Sequence, residues 1–83
     1  MKITLKYFAS IREAIGQGGE SHETSALTLA DLRNELLAAS PAHAASLARG
    51  KAVRMAVDQV MRDESALLSD GCEVAFFPPV TGG

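Results

Sequence analysis

Hydrophobic and polar positions alternate strictly at the start of the chain. Ile3, Leu5 and Tyr7 fall on one side of an extended segment; Lys2, Thr4, Lys6 and Phe8 fall on the other. That period of two predicts a strand with one buried face. From Ser10 the spacing turns helical, with Ile11, Ala14 and Ile15 on one side, and Gly16-Gln17-Gly18-Gly19 ends this short helix in a turn. Residues 21–27 read as a weak second strand, placed chiefly because the first strand needs a partner. The strongest helix opens at Thr28, an N-cap residue with Asp31 three positions on. Leu29, Leu32, Leu36 and Leu37 form its apolar face, and Asp31, Arg33, Asn34 and Glu35 the solvated remainder. Ser40-Pro41 starts a second helix, expected to run to about Arg49 before Gly50.

The second half returns to short strands. Residues 53–57 form one, Asp58-Gln59 a tight turn, and residues 60–62 a short return strand. Turns at residues 63–65 and 69–71 bracket Leu67 and Leu68. Residues 73–77 form the last strand, with Val74 and Phe76 on one face and Ala75 and Phe77 on the other, and Pro78-Pro79 stops further pairing. Strands on both sides of one main helix predict an α+β roll with a mixed sheet. The simplest closure lays the last strand parallel to the first with the helix across one face, the β-grasp or ubiquitin-like arrangement.

Composition narrows the function. Eighty-three residues make one domain with a modest core, and a 47% hydrophobic content is that of a globular chain. The net charge is −2 and no basic run occurs, so nucleic acid is not an expected partner; the longest apolar stretches fall far short of a membrane span, so neither is a membrane. No secretory signal pattern opens the chain, and a cytoplasmic location is expected. The single cysteine, Cys72, excludes an internal disulfide, a CxxC pair and a four-thiolate cluster; it reads as a structural thiol. His22 and His43 read as isolated surface histidines, and no metal-ligand spacing appears. No constellation of catalytic side chains emerges.

The chemistry lies at the other end. Phe76-Phe77-Pro78-Pro79-Val80-Thr81-Gly82-Gly83 closes the sequence. Two prolines hold a chain extended and semi-rigid. The tail from position 78 onward spans on the order of 20 Å at about 3.3 Å per residue. Lacking Cβ atoms, Gly82 and Gly83 suit a narrow channel in another protein. A terminal carboxylate activated as an acyl-adenylate is open to attack by sulfur, which yields a thiocarboxylate.

Phe8-Ala9, Ile11-Arg12-Glu13, Thr28-Leu29, Gly50-Lys51, Ala56-Val57-Asp58-Gln59 and the run from Asp70 to Gly83 together resemble the small-subunit family of molybdopterin synthase, the MoaD sulfur carriers. The terminal Phe-Phe-Pro-Pro-Val-Thr-Gly-Gly run is the specific part. The family commonly has Asn-Gln where this chain has Asp58-Gln59, and often an acidic residue at Cys72. The resemblance implies a β-grasp fold with no bound cofactor. It implies adenylation of Gly83 by an ATP-dependent, E1-like enzyme (MoeB-like), with Gly82 as the slim lead-in, and conversion to a thiocarboxylate by a sulfur donor system. It further implies insertion of the tail into a large subunit (MoaE-like), usually in a heterotetramer, and sulfur transfer to cyclic pyranopterin monophosphate to form the molybdopterin dithiolene. The small subunit is then a non-catalytic sulfur donor, with the catalytic side chains on the large subunit.

The residues add a docking surface. Phe8 and Phe77 lie on the outer faces of strands expected to be neighbours, Arg12 follows at the rim, and Pro78, Pro79, Val80 and Thr81 lead into the partner. The competing arrangement has the short helix fold over Phe8 and bury it. A carrier of the thiamine or thiolation type, a protein-conjugating modifier and a passive β-grasp module are the alternative functions.

Overall fold

The computed structural model describes residues 1–79. Its elements are β1 (Lys2–Tyr7), α1 (Ala9–Ile15), β2 (Gly19–Glu23), α2 (Leu29–Leu37), α3 (Pro41–Leu47), β3 (Arg54–Val57), β4 (Val60–Arg62) and β5 (Glu73–Phe77). The strands form one mixed sheet in the order β2-β1-β5-β3-β4. β1 and β5 run parallel at its centre, and the remaining pairs are antiparallel. This is the β-grasp topology expected from the alternation of strand and helix patterns.

The core sits between one face of the sheet and the helices. Ile3, Leu5 and Tyr7 of β1, Val74 and Phe76 of β5, and Leu29, Leu32 and Leu36 of α2 are at most 1% exposed. Each such aliphatic or aromatic side chain contributes about 1.5–3 kcal/mol on burial. Cys72 is buried among them, as a structural thiol should be. The Thr28 side chain accepts from the Asp31 N–H and caps α2, and Ser40 caps α3 through the His43 N–H with Pro41 following.

Several expectations are corrected. β2 begins at Gly19 and ends at Glu23, where the sequence pattern placed residues 21–27. Gly19 lies opposite Lys6, so near the β1 backbone that a Cβ there would stand 2.9 Å from the Leu5 carbonyl oxygen. Glycine therefore extends the strand where composition alone reads a turn. α3 stops at Leu47, not near Arg49, because Ala48 turns extended (φ −55°, ψ 139°). Its last carbonyls are taken by Arg33, whose Nε donates to Leu47 O at 2.7 Å and Nη2 to Ala48 O at 2.9 Å. Arg33 was assigned to the solvated face of α2, yet it is 5% exposed. Burial lowers its pKa, against the pull of Glu64.

The two histidines are not isolated on the surface. β2 turns Glu20 and His22 partly inward. His22 Nε2 meets Glu35 Oε1 of α2 at 2.9 Å, and Thr24 donates to the other oxygen of Glu35. His43 bonds Ser40 through Nδ1 at 2.6 Å and the Tyr7 hydroxyl through Nε2 at 3.2 Å. Polar side chains thus fill the space between the edge strand and the helices.

Candidate functional site

The candidate site is built where β1 and β5 end side by side. Their parallel register puts Tyr7 opposite Phe76, and the Phe8 N–H donates to Phe76 O at 3.2 Å. Alternation then sends Tyr7 and Phe76 into the core and Phe8 and Phe77 outward. The inner pair stacks at 6.0 Å; the outer pair stacks at 4.7 Å with rings 9° from parallel. Such a pair contributes about 0.5–1.5 kcal/mol beyond its buried area. Phe8 remains 40% exposed and Phe77 half-buried.

The short helix does not cover Phe8. Ala9 takes a positive φ of 50°, a conformation non-glycine residues rarely adopt, and turns the chain away from the ring. α1 then buries Ile11 toward the core. Arg12 is exposed, its backbone N–H bonded to Phe8 O, and its side chain lies against Gly18. The aromatic pair is thus brought together, and the arginine is held one helical turn away.

The rest of the outer sheet face is apolar at its centre and charged at its border. Ala75 and Ala56 are opposite one another and buried, with exposed Met61 next in the row. Lys6 lies opposite Ala75 and approaches Glu73 at 3.8 Å. Arg54 stands directly opposite Phe77. Met61 and Arg54 were not picked out by sequence reasoning; the hairpin register that brings them to this face is the signal that was missing.

Behind the aromatic pair a polar cluster fixes β1. The Tyr7 hydroxyl donates to Glu20 Oε2 at 2.7 Å, and His43 Nε2 lies 3.4 Å from the same oxygen. Burial, then the Glu20 hydrogen bond and charge, push the Tyr7 phenol well above its usual range, so it stays a neutral donor. One backbone step thus joins this anchored tyrosine to exposed Phe8.

Past Phe77 the chain leaves the sheet at Pro78, half-buried, and Pro79, exposed. Both line a groove of about 150 Å3 with Ser10, Ile11, Ala14 and Lys51. Val80, Thr81, Gly82 and Gly83, assigned to the tail from sequence, lie outside the described residues. Among the described residues no three His, Cys, Asp or Glu side chains converge as a metal site, and no helix is long and apolar enough to cross a membrane.

Comparison with known proteins completes the picture. The ThiS family matches residues 5–83. The molybdopterin synthase sulfur carrier subunit of Escherichia coli is 40% identical over 98% of this chain and 99% of its own length. That of Haemophilus influenzae is 33% identical over the same shares. Among solved structures, a putative molybdopterin converting factor subunit 1 from Pyrococcus furiosus is 27% identical with a TM-score of 0.78, covering 96% of this chain and 99% of that one. Subunit 1 or 2 in the Helicobacter pylori molybdopterin-converting factor complex shares the fold, at 23% identity and a TM-score of 0.72 over the full length of both chains. By the family match and by identity along nearly its whole length, the chain belongs to the ThiS family and is a relative of the molybdopterin synthase sulfur carrier subunits.

Proposed function

We propose that this chain is the sulfur-donating small subunit of a molybdopterin synthase, and that Gly83 carries the sulfur. The observation that carries the reading is the common exit. A buried central strand delivers the tail through Pro78-Pro79 directly beside a stacked aromatic pair on the outer face, Phe8 exposed and Phe77 half-buried. One partner that covers Phe8 and Phe77 therefore receives the tail in the same encounter.

The chemistry follows from the carboxylate. An E1-like enzyme transfers AMP from ATP to Gly83, with pyrophosphate leaving. A sulfur nucleophile attacks the acyl carbon, and AMP departs to leave the thiocarboxylate. In the large subunit's pocket the thiocarboxylate sulfur bonds to cyclic pyranopterin monophosphate in place of an oxygen substituent; water then cleaves the acyl–sulfur bond, which leaves the sulfur on the pterin and returns the Gly83 carboxylate for recharging. Gly82 and Gly83 keep the last turn of the path narrow. The folded body supplies no reacting group: it presents the tail and discriminates partners. Assembly as two small and two large subunits is part of the same proposal.

The test is intact mass after incubation with ATP, an adenylating enzyme and a sulfur source. The expected result is a gain equal to one oxygen exchanged for sulfur, confined to the C-terminal peptide. An unchanged mass, beside a carrier that is charged in the same mixture, overturns the reading.

A further inference from the structure

Among the described residues β4 is a sheet edge with one side unpaired. All three of its residues are exposed, Val60 by 60% and Met61 by 53%. Val60 and Arg62 lie opposite Val57 and Met55, on the helix-facing side of the sheet, yet both stay exposed. A groove of about 680 Å3 opens along the end of β3 and β4, walled by Arg33, Arg62, Asp63 and Glu64 together with Arg54 and Met61 of the outer-face rows.

The charges in this groove are unequal. Its carboxylates are engaged: Asp63 accepts from the Ser65 N–H and hydroxyl, and Glu64 pairs with Arg49 at 3.0 Å and Arg33 at 3.5 Å. Arg54 and Arg62 have no ion-pair partner among the described residues. Two guanidiniums without an ion-pair partner among the described residues, Arg62 feeling only the charge of neighbouring Asp63, thus stand beside a strand edge that carries exposed Met61 on its outer face and exposed Val60 on the other. Guanidinium forks recognise carboxylates in paired geometry. A free strand edge recognises extended backbone. A small free anion uses neither the edge nor Val60 and Met61. The groove also joins the docking surface, because Arg54 is directly opposite Phe77.

We propose that β4 and this groove bind an extended, acidic segment of the large subunit, added as a strand to β4 with its carboxylates on Arg54 and Arg62. This second contact rests on the large-subunit reading above and is separate from tail insertion. It gives the complex a hold on the carrier body in either sulfur state of the tail, and a charge term that steers encounter.

The full-length chain and purified large subunit test it in two ways. Amide hydrogen exchange of the wild-type complex is expected to slow in the peptide spanning 58–64. Arg54→Glu and Arg62→Glu are each expected to weaken binding about tenfold or more and to flatten its salt dependence, whereas Lys2→Glu, the same charge change at the opposite end of β1, moves it less than about threefold. Unchanged exchange at 58–64, with protection confined to the Phe8 and Phe77 peptides, overturns the proposal and leaves the large-subunit reading standing. So does affinity of both variants within about twofold of wild type. If a variant misfolds, the wild-type exchange result decides. No complex with wild-type chain at all overturns both readings.

Discussion

Tyr7 shows how one residue serves two sides of the sheet. Its ring stacks on Phe76 in the core, its hydroxyl is tied to Glu20, and the next residue is the exposed Phe8. Because the phenol is held protonated in the fold, stability carries an alkaline signature. In the unfolded chain tyrosine ionises near pH 10. Above that pH the unfolded chain sheds a proton that the folded chain retains, so stability falls as pH rises. The expected outcome is phenolate absorbance that appears together with loss of secondary structure, not before it. The chain has one tyrosine and no tryptophan, so the signal is unambiguous. Ionisation near pH 10 with the fold intact would contradict the buried hydrogen bond. Tyr7→Phe is expected to cost about 1 kcal/mol at neutral pH and to make the alkaline decline shallower.

Elements were legible where sequence period and backbone geometry agreed. The β3–β4 hairpin is the clearest case: Asp58 and Gln59 both take positive φ, 49° and 69°, as a tight two-residue turn requires. Asp58 tolerates this and is anchored, accepting from the Glu73 N–H at 2.9 Å through Oδ1. Gln59 has no such compensation among its described contacts. Gln59→Gly is therefore expected to stabilise the chain by about 0.5–1 kcal/mol, read as a higher urea midpoint at unchanged slope. A lower midpoint would mean that the Gln59 side chain holds the hairpin by a contact of its own. Legibility failed where tertiary contacts overrode local pattern. Gly19 belongs to a strand because β1 passes too close for a Cβ. Arg33 is buried because the end of α3 offers it two carbonyls. His22 and His43 look isolated in sequence because Glu35, Glu20 and Tyr7 reach them from distant positions. The Phe8–Phe77 pair was readable because alternation fixes each face and the parallel pairing of β1 with β5 sets them side by side. The register of β4, and with it the arginine groove, needed the hairpin in three dimensions.

At the scale of the whole molecule, a small core and a partly exposed aromatic pair make stability and binding parts of one balance. A partner that binds only the folded chain raises its stability by mass action. With free large subunit at about 100 times Kd, the gain is about 2.7 kcal/mol. For a domain of this size that corresponds to a rise in Tm of roughly 10–20 °C. Phe77→Ala separates docking from folding in the same measurement. It removes half of a stacked pair from the outer face and leaves the inner Tyr7–Phe76 stack in place. If Phe77 anchors the interface, its loss weakens binding about tenfold, or about 1.4 kcal/mol. The partner-induced rise in Tm should then shrink to about half at the same concentrations. The variant's own Tm, measured alone, accounts for any direct cost to the fold, so the difference between the two shifts reports the interface. An undiminished rise for Phe77→Ala would move the docking surface away from the aromatic pair. No rise for the wild-type chain would remove the large subunit as its partner.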